Sequence, residues 1–207
     1  MSEPARNLQP PRPTDDDRDQ RVFLRGVSWE QYEMIQQIRG ERRFPRLTYL
    51  EGALTLMSPG RNHERIATMV DRLLAFWSVE VGALVYAYRS WTLKREDKQR
   101  GAEADNCYTI GEGDTEKEVP DLAVEVTWSH EDPDKLLIYA GLGVREVWVW
   151  KDSRIIVHVL RGDAYVTATR SEVLPALDLA LLTRFAERLD QPQALREYRD
   201  ALRATLP

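Results

Sequence analysis

The sequence predicts an α+β (α/β-like) protein in which a mixed β-sheet is flanked by helices. Two observations favour this class: apolar residues recur at helical spacing in several segments, and they alternate or run continuously in short segments between them. The length of 207 residues is typical of one domain and sufficient to bury a core without disulfide bonds. We therefore expect a single domain over residues 21–207 and a disordered N-terminal tail over residues 1–20.

The first half of the chain contains three segments with clear signals. Ser28 is a candidate N-cap for a helix over residues 29–38, whose apolar side chains recur at helical spacing. Residues 46–57 predict a hairpin of two strands around Glu51-Gly52, because glycine favours a tight turn. Residues 62–81 predict a long amphipathic helix, followed by a strand over residues 84–93 and a charged loop over residues 94–100.

The second half alternates shorter elements. The predicted strands cover residues 104–110, 119–128, 144–150, 155–160 and 164–169. Asp132-Pro133 predicts the start of a helix that ends near Gly141, and two closing helices are expected over residues 179–189 and 193–204. A helix between strands is the reason for expecting a mixed sheet.

Composition excludes several classes of function. The chain has 29 Lys+Arg and 34 Asp+Glu, a net charge of −5, which argues against a protein that coats nucleic acid regardless of sequence. The net charge does not exclude an enzyme that binds nucleic acid through a local part of its surface. The single cysteine, Cys107, excludes an intramolecular disulfide framework and is interpreted as a core residue. No apolar run approaches the roughly 18 residues of a membrane span, and no secretory signal is evident, so we expect a cytoplasmic protein with no membrane contact.

The strand over residues 119–127 contains the most informative polar side chain. Alternation places Glu125 in the middle of an apolar strand, where a buried carboxylate is costly unless a cation pairs with it. Asp105, on the preceding strand, is a second acid. Two carboxylates at one sheet edge favour a divalent cation such as Mg²⁺ or a lysine, and Lys135 is one turn into the next helix. A structural salt bridge between Glu125 and Lys135 explains the same spacing, and both interpretations remain open.

Three other polar residues have equally ordinary explanations. Glu64 lies in the first turn of the long helix, where an acid stabilises the helix dipole. His63, beside it, has no role that the pattern assigns. Asp121 follows Pro120, and it is explained as the entry to a strand.

Six segments, in this order, resemble a known family. They are RLTYLEGALTLMSP, NHERI, TLKREDKQRGAEADNCYTI, PDLAVEV, DKLLIYAGLGVREVWVW and SEVLPALDLALL. Together they resemble the Uma-two type of restriction endonuclease, a family abundant in cyanobacteria and part of the PD-(D/E)XK nuclease superfamily. The resemblance covers about residues 46–186. It implies a restriction-endonuclease-like fold and Mg²⁺-dependent hydrolysis of DNA phosphodiester bonds, with Mn²⁺ as a second suitable ion.

The resemblance also implies roles for individual residues. Asp105 resembles the first acidic metal ligand, and Glu125 resembles the acid of the (D/E)XK element. Lys135 resembles a catalytic lysine supplied by the following helix. Glu64 resembles an additional catalytic acid near the metal, and Asp121 an outer metal ligand.

The sequence departs from the superfamily pattern at two places. Thr127 stands two residues after Glu125, where the superfamily has its lysine, which is why Lys135 is taken as the substitute. The first acid is preceded by Ala104, where the superfamily pattern has proline.

Three classes of function remain possible from the sequence: a DNA endonuclease, a catalytically silent DNA- or protein-binding module of the same fold, and a metal-dependent hydrolase of a phosphorylated small molecule. Convergence of the two acids with the lysine favours the first, and acids bridged by arginines favour the second. A basic group that is a candidate for phosphate contacts comprises Arg61, Arg65, Arg89, Lys94, Arg95, Lys98 and Arg100.

Cleavage of both DNA strands favours a homodimer with two active sites. The closing helices are a candidate dimer surface through Leu179, Leu182, Phe185 and Leu189, although an ordinary core role is the preferred interpretation.

Overall fold

The strands form two sheets. The computed structural model describes residues 18–89, 91–113, 116–126 and 134–205. One sheet has five strands in the order β1-β3-β2-β6-β5, and the other has six in the order β11-β10-β9-β8-β7-β4. With five α-helices in the described residues, the fold is α+β, as the sequence predicts.

The five-stranded sheet is entirely antiparallel. Its strands are β1 (Gln20–Arg25), β2 (Arg46–Leu50), β3 (Ala53–Ser58), β5 (Thr92–Arg95) and β6 (Arg100–Glu103). The β2–β3 turn has positive φ at both Glu51 and Gly52, the geometry that favours a tight hairpin. Helix α1 (Trp29–Arg39) packs its buried aromatic residues on this sheet and begins with a capping box formed by Ser28 and Gln31.

The six-stranded sheet is mixed. Its strands are β4 (Val85–Tyr88), β7 (Asn106–Ile110), β8 (Leu122–Val126), β9 (Glu146–Lys151), β10 (Arg154–Arg161) and β11 (Ala164–Ala168). Strands β8 and β9 are parallel and are connected through helix α3 (Lys135–Leu142), whereas all other pairs are antiparallel. This crossover places α3 directly after the strand that contains Glu125.

Helices cover both faces of the mixed sheet. Helix α2 (Arg61–Val81) packs with α4 (Leu179–Ala186) and α5 (Gln191–Thr205) on one face, over Leu122, Val124 and Val126. Helix α3 packs on the other face, between the two sheets, where Ala123 is buried. The alternation predicted for residues 119–127 is therefore confirmed over the described part of the strand.

The elements over residues 84–103 differ from the sequence-based expectation. The strand predicted over residues 84–93 is divided into β4 and β5, which belong to different sheets. Continuous apolar character does not reveal such a change of sheet, because both halves are strand-forming. Within the loop predicted over residues 94–100, β5 continues to Arg95, a turn of 3₁₀ helix covers Glu96–Lys98, and β6 begins at Arg100.

Most of the predicted tail, residues 1–17, lies outside the described residues. Asp19 and Gln20, which the sequence assigned to the tail, are described: Gln20 opens β1 and pairs with Ser58. Within the described part of the chain, no helix is long and apolar enough to cross a membrane.

Candidate active site

The candidate site lies where the two sheets meet. Residues 104–105 connect β6 of the first sheet to β7 of the second. The β7–β8 register pairs Asn106 with Val124, so one further step along both strands places Asp105 opposite Glu125. Directly opposed residues of an antiparallel pair project to the same face. The two carboxylates predicted to converge are thus neighbours, with Glu125 in β8 and Asp105 immediately before β7.

Helix α3 supplies both side-chain partners of Glu125. Lys135 Nζ lies 2.6 Å from Oε2, and the Tyr139 hydroxyl donates to Oε1. Glu125 is only 1% exposed, and burial raises the pKa of its carboxyl group. Repulsion from Asp105 acts in the same direction, while Lys135 and Tyr139 oppose it. The glutamate predicted to need a cation therefore has one.

Asp105 is held by three groups. Arg46, the first residue of β2, donates from Nη1 to Oδ1, and the backbone N–H of Val126 donates to Oδ2 over 2.7 Å. His63 Nε2 lies 2.8 Å from the same Oδ2. Burial alone would raise the pKa of Asp105, but the charges of His63 and Arg46 outweigh it and hold the pKa well below its usual value. Asp105 is thus a buried, ionised carboxylate.

His63 connects Asp105 to the beginning of the described chain. Its Nδ1 lies 3.0 Å from Asp19 Oδ2, while Asp19 Oδ1 accepts the backbone N–H of Gly60 over 2.8 Å. Burial would lower the pKa of His63, but Asp105 and Asp19 raise it to about 9. The imidazole is therefore charged at neutral pH and neutralises part of both carboxylates.

Glu64, next to His63 at the start of α2, contacts arginines. Arg46 Nη2 lies 3.0 Å from Oε1, and Arg43 Nη2 lies 3.4 Å from Oε2. Both guanidinium groups stack on the Phe44 ring, at 5.3 and 5.1 Å from its centroid. Arg46 therefore bridges Glu64 and Asp105, and Glu64 reaches the site through this arginine.

Asp121 is not part of this cluster. It begins the segment that leads into β8, four residues before Glu125, which corresponds to about 13 Å along an extended strand. Its Oδ2 accepts the Ile110 N–H over 2.8 Å and lies 2.5 Å from Lys117 Nζ. These contacts agree with the simpler interpretation of Asp121 as a strand-entry residue.

Local sequence explains how the helices deliver their groups. Gly60 is the N-cap of α2, so His63 and Glu64 fall in its first turn, from which His63 contacts Asp105 and Glu64 contacts Arg46. Asp134 caps α3 by accepting the Leu137 N–H over 3.0 Å, which makes Lys135 the first helical residue. Tyr139 follows at i+4 and lies on the same helix face as Lys135. Thr127, where the superfamily lysine is absent, lies outside the described residues.

The donor chemistry fits a hard divalent cation. Asp105 and Glu125 offer only oxygen ligands, the type that Mg²⁺ and Mn²⁺ prefer. Every oxygen of both carboxylates already contacts a protein donor, namely Arg46, His63, Val126, Lys135 or Tyr139. No cluster of three or more His, Cys, Asp or Glu residues is arranged for a metal among the described residues. Because each carboxylate oxygen has two lone pairs, a metal ion here would share these oxygens with the present donors or displace one of them.

Sequence reasoning missed three residues of the site. Arg46 and Asp19 carry no local signal, because their partners lie 59 and 44 residues away in the chain. Tyr139 had a signal in its i+4 spacing from Lys135, which places both side chains on one helix face. Cys107, in contrast, is the core residue predicted: it is 1% exposed, and burial raises the pKa of its thiol to about 12.

The two surfaces predicted from the sequence, the basic group and the closing helices, are partly occupied by contacts within the protein. Five residues of the basic group contact the protein itself: Arg89 pairs with Asp71, Lys94 with Glu33 and Arg95 with Asp97, while Arg65 and Arg100 donate to backbone carbonyls. Exposed pairs of this kind contribute little and exchange readily. In the closing helices, Leu182 and Phe185 belong to the core, as the preferred interpretation states. The homodimer stays a prediction.

The chain thus has an α+β fold in which Asp105 and Glu125 are opposed and Lys135 comes from helix α3, the arrangement that the resemblance in the sequence implies. The chain belongs to the Uma2 family, described as "putative restriction endonuclease", whose sequence profile matches residues 29–190. No curated protein matches the chain. A crystal structure of "a putative nuclease belonging to DUF820" from Anabaena variabilis is 15% identical, with a TM-score of 0.45, over 75% of this chain and 92% of that chain.

Proposed function

We propose that this protein is a divalent-metal-dependent endonuclease that hydrolyses DNA phosphodiester bonds, with Mg²⁺ or Mn²⁺ as the metal. The observation that carries the proposal is the contact between Lys135 and Glu125, 2.6 Å apart and next to Asp105. A purely structural ion pair would need no second carboxylate beside it. Membership in the Uma2 family supports the same activity.

In this proposal Asp105 and Glu125 hold the metal ion. Both are buried, Glu125 in β8 and Asp105 immediately before β7, so the pairing of these two strands sets their positions. A metal ion held by these two acids would supply Lewis-acid polarisation of the scissile phosphate and would lower the pKa of a water bound to it. Glu64, which is partly exposed, is the candidate for an additional acid at the mouth of the site. Asp121 is omitted because it lies at the other end of β8.

Lys135 has two roles that its position allows. Its ammonium neutralises Glu125 in the resting protein, and the same ammonium is available to stabilise negative charge that develops on the phosphate. Tyr139 holds the other oxygen of Glu125 and so fixes the orientation of the carboxylate. A buried hydrogen-bond donor of this kind reduces the reorganisation needed when substrate binds.

The test is cleavage of supercoiled plasmid by the full chain in Mg²⁺ or Mn²⁺, with and without a chelator. We expect nicking that is lost in the chelator and lost in Asp105→Asn and Lys135→Met, both of which should remain folded by circular dichroism. Cleavage that persists in the folded Asp105→Asn protein would show that the assigned site is not responsible.

A second function, a catalytically silent DNA- or protein-binding module, is favoured by one observation. Arg46 bridges Asp105 and Glu64, which is the arrangement expected if these acids are structural. Calorimetric titration with Mn²⁺ separates the two, with the Asp105→Asn/Glu125→Gln double variant as the comparison. Metal binding that the folded double variant lacks supports the nuclease. If the wild type binds no metal, the titration is repeated with duplex DNA and Ca²⁺, and DNA binding that needs no cation supports the binding module.

A further inference from the structure

Two arginines of this protein, the buried Arg46 and the partly buried Arg39, contact carboxylates in different ways. Arg39 directs both terminal nitrogens to one carboxylate, that of Glu103: Nη2 lies 2.6 Å from Oε1 and Nη1 contacts Oε2. Arg46 divides its nitrogens between two carboxylates, with Nη1 on Asp105 and Nη2 on Glu64. A two-point contact to one carboxylate is stronger and more specific than two single contacts. The Arg39–Glu103 pair is therefore the stronger contact, and the contact between Arg46 and Asp105 is easier to break.

The position of Arg46 is that of a cation shared by two acids. Its side chain is 3% exposed, beside Asp105 at 0% and Glu64 at 29%. A buried carboxylate must keep a positive partner, since an unpaired charge in this environment costs several kcal/mol. The guanidinium supplies that partner to Asp105 in the resting protein. A divalent ion held by Asp105 and Glu125 would supply it instead.

Arg46 also has partners that it can keep after it leaves Asp105. Glu64 is partly exposed and contacts Arg43 as well, and the Phe44 ring stacks against both guanidinium groups. Retraction of Arg46 from Asp105 toward Glu64 keeps one ion pair and the aromatic contact. Release of Arg46 therefore breaks only its Nη1–Oδ1 contact with Asp105. It also removes one cation that compensates for the burial of that carboxylate.

We propose that Arg46 is an exchangeable counter-ion of the active site: it holds Asp105 in the metal-free protein and leaves Asp105 Oδ1 when a divalent cation binds. The proposal rests on the metal site assigned above. Arg46 thereby sets the apparent metal affinity, because the metal must compete with a charge that is already in place. It is a positioning residue, and it is not itself a metal ligand.

The experiment is calorimetric titration of the full chain with Mn²⁺, in the wild type, Arg46→Gln and Arg39→Gln. We expect Arg46→Gln to bind Mn²⁺ at least about tenfold more tightly, because no guanidinium opposes the ion. Arg39→Gln is the matched control, because it also removes an arginine from a buried carboxylate, that of Glu103, but leaves Asp105 and Glu64 untouched. Its Mn²⁺ affinity should therefore equal that of the wild type.

Thermal unfolding provides a readout that does not depend on activity. Arg46→Gln leaves Asp105 without one of its cations and should be less stable than the wild type in a chelator. Saturating Mn²⁺ should raise its melting temperature by more than it raises that of the wild type, since a ligand stabilises the state it binds. Arg39→Gln should show only the wild-type increment.

Arg46→Lys covers the case in which Arg46→Gln folds poorly without metal. The lysine keeps the charge but reaches only one carboxylate at a time, so its Mn²⁺ affinity should lie between those of Arg46→Gln and the wild type. Equal or weaker affinity in both Arg46 variants, beside normal binding by the wild type, would overturn the exchange and leave the metal site intact. Absence of binding in every protein, the wild type included, would overturn the metal site itself and the exchange with it.

Discussion

Lys135 and Tyr139, one turn apart on α3, contact the two different oxygens of the Glu125 carboxylate. A single helix therefore neutralises the acid and also fixes its orientation. Because α3 begins at Lys135, both contacts depend on where the Asp134 cap starts the helix. The short crossover from β8 to β9 thus determines the geometry of the candidate site.

Removal of the Tyr139 hydroxyl should affect both stability and cleavage. Tyr139→Phe leaves Glu125 Oε1 without its donor, at a cost of about 1–3 kcal/mol in the free energy of unfolding. Cleavage should fall by about tenfold or more, since partners of ligand side chains commonly affect metal affinity to that extent. Urea unfolding and plasmid nicking measure the two effects.

The control for this variant is Tyr165→Phe, which removes a hydroxyl that donates to the Val144 carbonyl over 2.6 Å. It should lose stability and keep its cleavage rate. Equal loss of cleavage in both variants would argue that Tyr139 acts only through the stability of the fold.

Glu125→Gln should abolish cleavage while the protein remains folded, because the substitution removes a charge and almost no volume. Glu146, a buried glutamate on β9, provides the matched control, because no catalytic role is predicted for it. Its carboxylate accepts hydrogen bonds from Trp148 Nε1 over 2.6 Å and from the Glu172 N–H over 2.8 Å. Glu146→Gln should lose about 1–3 kcal/mol of stability and retain activity. Loss of folding in Glu125→Gln would make that acid structural as well.

Lys135→Met should reduce cleavage by at least about 100-fold, the usual scale for removing one electrostatic stabiliser of a transition state. Arg161→Met removes a cation that also contacts a glutamate, Glu172, at 2.5 Å, but on the exposed surface. We expect it to change neither cleavage nor stability noticeably. Single-turnover rates with saturating Mn²⁺ provide the comparison, and similar rates for the two variants would remove Lys135 from the mechanism.

Asp19 should contribute to stability in a pH-dependent way. Burial would raise the pKa of Asp19, but His63 and the Gly60 N–H lower it from about 3.8 to about 2. A lowered folded-state pKa stabilises the protein above the unfolded value, and this contribution is lost as the pH falls from about 4 toward 2. Asp19→Asn should therefore be less stable at pH 7, by about 1 kcal/mol.

Urea unfolding at pH 7, 5, 4 and 3 measures this effect. The difference between wild type and Asp19→Asn should be constant from pH 7 to 5 and should narrow below pH 4. A difference that is independent of pH down to 3 would mean that hydrogen bonding, and not the charge of Asp19, holds the beginning of β1 against α2.

Periodicity in the sequence was sufficient for the helices and for the face of β8. The capping residue Ser28 and the apolar spacing after it located α1, and the alternation around Glu125 separated the residues that pack under α2 from those under α3. Such patterns depend on neighbouring residues in the sequence, so they can be interpreted without knowledge of the tertiary contacts. The division of residues 84–93 between two sheets had no local signal, since both halves are strand-forming.

The sequence by itself determined the α+β class, the family, and the candidate trio of Asp105, Glu125 and Lys135, because these residues lie within 30 positions of one another on successive elements. Only the tertiary structure decided which cations and donors complete the site. Arg46 comes from the other sheet, and Asp19 from the entry to β1, because burying an acid where two sheets meet requires partners from whichever segments the fold brings there. The need of a buried acid for such partners follows from electrostatics, but which residues supply them depends on how the chain packs.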